Sequence, residues 1–368
     1  MADTTVSSAN RVQQWAKKEF REYVRQSPFK TLMGADNQSV IQVKEELTKD
    51  AGDSITFSLV TRITTSATTG DNQMEGNETA LGNYGHRVYV DQARNAVSVG
   101  RFEKIKTEID LLAAAEAMLR KWNLEELQDL FIARFIAPTV SQTFVSYAAA
   151  TEAQKDAWVV ANNPTSSNIR IVCGAALSNI SADHSSGLAN IDGTADDMHQ
   201  DIVRLAKRQA QGCTPHITPV LTKGTDAGKE RFVHLMGSIP FRDLEANMDT
   251  VHQNADSRGE DNHIFRSGDI MVGNVICKEV PRMDTVQSSG GAMISGVGAG
   301  AINVASTILC GAQTLGLAWA QRMHVETEEF DYKNRKGVCV AEIRGCEKLI
   351  FNDVQNGGVQ VYVSAVGD

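Results

Sequence analysis

One long helical signal constrains this chain more than any other feature. Ile105, Ile109, Leu112, Leu119 and Trp122 recur at helical spacing, and Leu124, Leu127, Phe131 and Phe135 continue the pattern until Pro138 stops it. At 1.5 Å per residue such an element would span roughly 50 Å. A helix of that length is a strut, and rarely an active-site element. Asn123 followed three residues later by Glu126 has the spacing of a capping box, which predicts a kink or a restart there.

Just before the strut, SITFSLVTRI places Ile55, Phe57 and Leu59 on one face, and HRVYVDQARNAVSVG does the same with Val88, Val90, Val97 and Val99. Alternation of period two on both sides of a loop predicts a long β-hairpin. Its apolar face is thin, and a lone two-stranded hairpin is marginal in water, so it must lie on something. The loop, GDNQMEGNETALGNYG from Gly70 to Gly85, carries Asp71, Glu75 and Glu78. Asp71, Gln73, Glu75 and Gly76 imitate the start of a calcium loop, but the twelfth position, which must supply a bidentate carboxylate, is Gly82, and the flanks are strands. The Gly82 to Gly85 spacing opens no helix and is too short for a dinucleotide fingerprint.

At the other end of the hairpin, RVQQWAKKEFREYVR sets Val12, Ala16, Phe20 and Tyr23 on one helical stripe. Six Lys or Arg against two Glu between residues 11 and 30 make it a basic amphipathic arm, ended by Ser27-Pro28. It is either a surface helix of its own domain or a partner-binding arm. Beyond the strut, residues 140 to 325 alternate helix and strand signals. GTADDMHQDIVRLAKRQAQG suggests a helix with Thr194 as cap, Asp196 and Asp197 in its first turn and Gly212 past its end. KERFVHLMG reads as a strand and NHIFRSGDIMVGNVICKEV as strands around turns. KGVCVAEIRG, KLIFN and VQVYVSAV make the C-terminal part strand-rich.

Composition narrows the function classes. Hydrophobic content of 42% and charged content of 22% fit a globular protein. A net charge of −9 argues against a dedicated nucleic-acid binder. The cysteines at 173, 213, 277, 310, 339 and 346 contain no C-x-x-C pair or zinc-like spacing, so free thiols in a reducing compartment are expected. The N-terminus has no secretory pattern. Thr285 to Gln321 lacks any charged side chain, but its many Gly, Ser and Thr argue for a Gly-rich loop and a buried segment through Trp319 rather than a membrane span.

No catalytic or cofactor motif emerges. KGTDAGKE is one residue short of a phosphate loop and has Glu230 where Ser or Thr would bind magnesium. His184, Asp192, Asp196, Asp197 and His199 could be read as a metal cluster, although Asp196 and Asp197 already have a role as first-turn acids. No G-x-S-x-G or H-E-x-x-H occurs, so neither catalytic residue, cofactor nor metal ligand is assigned. The alternative is a soluble ligand- or metal-dependent enzyme whose site is assembled from distant residues.

The order of parts, together with the wording of MEGNETAL, VYVDQARNAVSVG, LRKWNLEELQDL, RFVHLMGSIPFRDLEAN, HIFRSGDIMVGNVICKEVPR and EFDYKNRKGVCVAEIRGCEKLIFN, resembles the major capsid proteins of tailed bacteriophages with the HK97-like fold. The resemblance covers most of the chain from about residue 40. It implies an α+β chain with an N-terminal arm (1–50), an extended β-hairpin or E-loop (51–102), a spine helix with the first part of a P-domain (103–160), an A-domain (161–322) and further P-domain strands (323–368). It implies a structural protein that is no enzyme and needs no cofactor. Such a protein forms hexamers and pentamers of an icosahedral head around double-stranded DNA. It also implies scaffolding and portal proteins as partners, with decoration proteins in addition, weak nonspecific contact with DNA, no membrane, and assembly in the host cytoplasm into the virion shell. Expected inter-subunit contacts are Asp71, Glu75, Gly76 and Glu78 at the hairpin tip and Arg11, Trp15, Lys17, Lys18, Phe20, Arg21 and Arg25 on the arm. Some members crosslink through an E-loop lysine; Ser54 to Gly100 contains none, which predicts a noncovalent shell.

Overall fold

The computed structural model describes residues 27–48, 52–63, 65–106, 110–139, 144–221, 230–248, 270–285 and 293–367. The basic arm from Arg11 to Arg25, Ile109, the phosphate-loop mimic before Glu230 and the NHIFRSGD stretch lie outside them. In chain order the strands and helices are β1 (Met33–Gly34), β2 (Ile41–Lys44), β3 (Ser54–Val60), β4 (Asn83–Tyr89), β5 (Asp91–Gly100), α1 (Arg101–Lys106), α2 (Leu111–Ile136), α3 (Glu152–Asn162), β6 (Ile171–Cys173), α4 (His184–Ala189), α5 (Gln200–Gly212), β7 (Val220–Leu221), β8 (Glu230–Met236) and α6 (Ser238–Ala246). There follow β9 (Ile270–Val272), β10 (Val275–Glu279), α7 (Arg282–Thr285), β11 (Met293–Ile294), β12 (Val304–Cys310), β13 (Leu315–Phe330), β14 (Arg335–Lys348), β15 (Ile350–Phe351), β16 (Val354–Gln355) and β17 (Gly358–Ser364).

The chain divides into two compact units, with α2, β13 and β14 each contributing to both. The larger comprises residues 28–91, 127–321 and 343–368. Its main sheet runs β6-β17-β12-β8-β10-β9, with β11 on β12 and β7 on β8. Every residue of β17 is buried because both faces of the strand are covered. Val359, Val361 and Val363 face the Ile202, Val203 and Ala206 stripe of α5, while Tyr362 faces Trp158 of α3. A sheet covered on both faces needs strands apolar throughout. The uncharged stretch near 304–319 is therefore core strand, β12 and the start of β13. Among the described residues no helix is long and apolar enough to cross a membrane. A second cluster packs Phe131, Phe135 and Ile136, from the C-terminal half of α2, against Leu315, Leu317 and Trp319 of β13. Phe29 stacks edge-on to Phe131 there, with ring centroids 5.5 Å apart.

The smaller unit holds β5, α1, the N-terminal half of α2 and the adjoining parts of β13 and β14. Its hydrophobic cluster is Leu119, Val338 and Val340, with Leu112, Met323 and Val325 packed against them, and Asn123, Ala341 and Glu342 are buried as well.

Three expectations change. α2 runs 26 residues without interruption, about 39 Å. Asn123 does not restart the helix, because its amide donates to Glu342 Oε2 at 2.9 Å; the N-terminal cap is Asp110, which accepts from the backbone N–H groups of Leu112 and Ala113. The 86–100 segment is two strands: β4 pairs with β3, but β5 departs to lie beside β14, so Val97 and Val99 do not belong to the hairpin face. Finally, α5 begins at Gln200 rather than after Thr194, so Asp196 and Asp197 precede it and Asp201 is its first-turn acid, and it runs through Gly212 to the C-cap Cys213. Asp192 accepts from the N–H groups of Thr194 and Ala195, and this local turn competes with helix.

Candidate assembly surfaces

The β3–β4 hairpin has a buried root and an exposed arm. Antiparallel register sets Ile55 opposite Val88 and Phe57 opposite His86. Ile55, Phe57 and Val88 bury against Ala318, Leu349 and Phe351 of the same chain. Each such side chain contributes about 1.5–3 kcal/mol when fully buried. His86, fully buried, sets Nε2 3.0 Å from Glu347 Oε2 and Nδ1 3.2 Å from the Ile350 carbonyl. Lys44 Nζ donates to the Thr56 carbonyl at 3.0 Å and lies 4.8 Å from the Phe57 ring centre. Gly345 on β14 is what allows this approach: a Cβ there would overlap the Tyr89 carbonyl oxygen. The last rung of the root is the bond from Thr61 N–H to the Gly82 carbonyl, 2.9 Å.

Beyond that rung the character of the surface changes. Ile63, Met74 and Leu81 are 61%, 58% and 58% exposed, and every residue from Asp71 to Leu81 is exposed. The arm is closed by the Thr65 and Thr79 hydroxyls, 2.6 Å apart. Its tip is a turn in which Asn77 N–H donates to the Met74 carbonyl and Gly76 takes φ +89, the left-handed conformation that the third position of a type II turn demands. The carboxylates serve the turn instead of converging: Gly76 N–H donates to Glu78 Oε2 at 2.9 Å, and Gln73 donates to Glu75. Asp71, Glu75, Gly76 and Glu78 thus all sit on the exposed tip, with no calcium cage among them.

The proposed His184, Asp192, Asp196, Asp197 and His199 cluster does not form. His184 is buried among Tyr147, Trp158 and Tyr362. Asp196, also buried, accepts from the N–H groups of Ala175 and Asp192. Asp197 holds Ser364, and His199 Nδ1 donates to the Asp197 carbonyl. Among the described residues the acids that converge are Glu152, Asp156 and Asp183, and they have tasks already. Asp156 accepts from His184 N–H, Asp183 caps α4, and Glu152 pairs with Lys155.

Apart from Asp183 and Asp192, exposed carboxylates held below the usual range by the hydrogen bonds they accept, the groups with displaced pKa values are core groups. Burial pushes the Cys173, Cys310 and Cys346 thiols up to about 12, and lowers His234 to about 3 and Lys348 to about 7. None lines either of two surface grooves, one beside Phe330 (about 410 Å³) and one beside Phe351 (about 320 Å³). All six cysteines are free. The sequence did not single out His86, Lys44 or Gly345. His86 was legible as inward-facing from its alternation with Val88, but its partner Glu347 lies 261 residues away.

A chain whose chemistry-bearing side chains are locked in the core, while its most exposed apolar ones sit on an arm and on short surface elements, is a structural subunit made for assembly. Comparison with known proteins gives its family: the phage capsid protein model matches residues 3–366, and the chain belongs to that family. The major capsid protein of Pseudomonas phage KPP25 is 25% identical over 379 residues, covering 95% of this chain and 94% of that protein. The capsid asymmetric unit of cyanophage Pam1 is similar with a TM-score of 0.89 and 32% identity over 100% of both chains. The capsid of Ralstonia phage GP4 gives 0.73 and 24%, over 100% of this chain and 99% of that one. The chain is therefore a self-associating major capsid protein of the virion shell with an HK97-like fold, and not an enzyme.

Proposed function

We propose that the chain builds hexamers and pentamers of an icosahedral head around double-stranded DNA, held together without covalent crosslinks, and that residues 61–82 reach over a neighbouring subunit. The observation that carries this reading is the division of the hairpin: its root is buried in its own chain, while Ile63, Met74 and Leu81 are left in water. An arm so anchored can give up apolar surface to a neighbour without disturbing the subunit. Many modest contacts of that kind act together through closed symmetry. In this reading Asp71, Glu75 and Glu78 meet basic groups next door, with Gly76 setting the turn between them, and the basic segment Arg11 to Arg25 makes a second contact. The sheet covered by α5 and α3 serves as the A-domain, α2 as the spine, and β13 with β14 as the P-domain. Scaffolding, portal and decoration proteins are its partners, assembly takes place in the host cytoplasm, and an acidic chain touches packaged DNA weakly.

Thr65 and Thr79 adjoin, so residues 66–78 can be replaced by two glycines with little effect on the root. The shortened subunit should melt within about 2 °C of the full chain, while shell yield in negative-stain microscopy falls at least about tenfold. Unfolding of the shortened subunit, or shells at full yield, would sink the reading. On a denaturing gel, shells should run as a single 40.0 kDa band, and a ladder of multimers would contradict the noncovalent shell.

A further inference from the structure

α1 has six residues and none is buried. A helix that short is marginal in water unless an apolar face is covered. Phe102 and Ile105, one helical turn apart and so on one face, are 69% and 76% exposed. Lys106 lies 4.2 Å from the Phe102 ring centre and pairs with Glu103 at 2.6 Å. Arg101 and Lys104 complete the helix as exposed cations.

The same unit carries a surface of matching character. The groove of about 410 Å³ beside Phe330 is lined by Ala96, Glu326, Glu328, Val338 and Cys339, with Glu326 and Glu328 exposed. Glu329, next to Glu328, is 3.6 Å from Lys336. Among the described residues Glu328 has no ion-pair partner. This lining, apolar at Ala96 and Phe330 and acidic at Glu326 and Glu328, complements Phe102, Ile105, Arg101 and Lys104 of α1 in both hydrophobicity and charge.

We infer that α1 of one copy docks into the Glu326–Glu328–Phe330 groove of a second copy. This rests on the capsid reading above. Helix and groove are different surfaces of one unit, so the contact is heterologous, and repeated heterologous contacts close into rings or run on as filaments. A shell needs the ring. Opposite charges across the contact fix register and exclude wrong neighbours.

The test uses the full-length chain under conditions where the unaltered protein forms shells. The pair Glu326→Lys and Glu328→Lys should lower shell yield at least about tenfold, and so should Arg101→Glu with Lys104→Glu, each with an unchanged subunit melting curve. All four together should recover yield to within about threefold of the unaltered chain. Unaltered yield in each pair, or no recovery in the combination, overturns the contact while the unaltered chain still forms shells. Failure of the unaltered chain to form them overturns the capsid reading and this contact with it. Cys339 is the one cysteine that is not buried, which permits a trap. In shells of the Ile105→Cys variant, oxidation with copper phenanthroline should join neighbouring copies through Cys339, seen as a dimer band on a nonreducing gel. Absence of that band, or a band obtained instead with Phe20→Cys, overturns the proposal, the latter by giving the groove to the N-terminal segment.

Discussion

The two compact units differ in how much of their apolar surface they cover for themselves. In the larger, β12 and β17 are buried at every residue, because α5 lies on one face and α3 with the C-terminal half of α2 on the other. In the smaller, the buried apolar cluster is only Leu119, Val338 and Val340, and Phe102, Ile105, Phe330 and Tyr332 remain exposed. Subunit stability therefore belongs to the larger unit, and the smaller unit and the hairpin arm are left with surface to offer. An apolar patch that the subunit leaves uncovered marks where a partner binds.

Truncation of the core tests this difference with the largest effect. Leu309→Ala, one residue from the end of β12 and fully buried, is expected to cost about 2–5 kcal/mol in urea unfolding of the unassembled subunit. The same change at Leu119 in the smaller unit should lie at the low end, about 2 kcal/mol, because its thin core can collapse around the gap. Equal losses would break the comparison. Next in size is Gly345→Ala, whose Cβ meets the Tyr89 carbonyl oxygen; about 1–3 kcal/mol is expected. That loss should appear as faster hydrogen exchange in β4 with β17 unaffected, and uniform exchange across both would show that the hairpin root is inseparable from the main sheet.

A last effect, read as a slope per pH unit, concerns protons. Burial lowers Lys348 to about 7 in the folded chain, where Nζ donates to the Ala137 carbonyl at 3.1 Å. Unfolded, the same lysine titrates near about 10.4. Between those values the unfolded state binds more protons, so stability should rise with pH from about 7 to about 10, by at most about 1.4 kcal/mol per unit. Below that window the burial penalty is present in full, and above it the penalty is gone. Lys348→Met should flatten the slope, and a slope unchanged by the substitution would assign it to other groups.

Much of this was legible in the sequence. The α2 period from Leu112 onward, the alternation of Ile55, Phe57 and Leu59, and the β17 valines are local signals that became the elements they predicted, whereas Ile105, read as the start of the same strut, lies on the separate α1. The calcium imitation at Asp71 could be weighed in the sequence itself, because Gly82 at the twelfth position is a local fact. Less legible was where these elements would go. Asn123 looked like a cap because its neighbours have capping spacing, yet Glu342, 219 residues on, claimed its amide. Thr194 looked like a cap until Asp192 took its N–H group.

By itself, then, the sequence determined the strut, the hairpin, the absence of any catalytic motif and, through its resemblance, the family. Only the tertiary structure decided that β5 leaves the hairpin for β14, that His86 meets Glu347, and that the hairpin root rests on its own chain while its tip does not. The physical reason is one of range. Backbone periodicity and turn chemistry act over a few residues and are written locally, whereas the choice among distant partners depends on which surfaces remain uncovered once every element has packed.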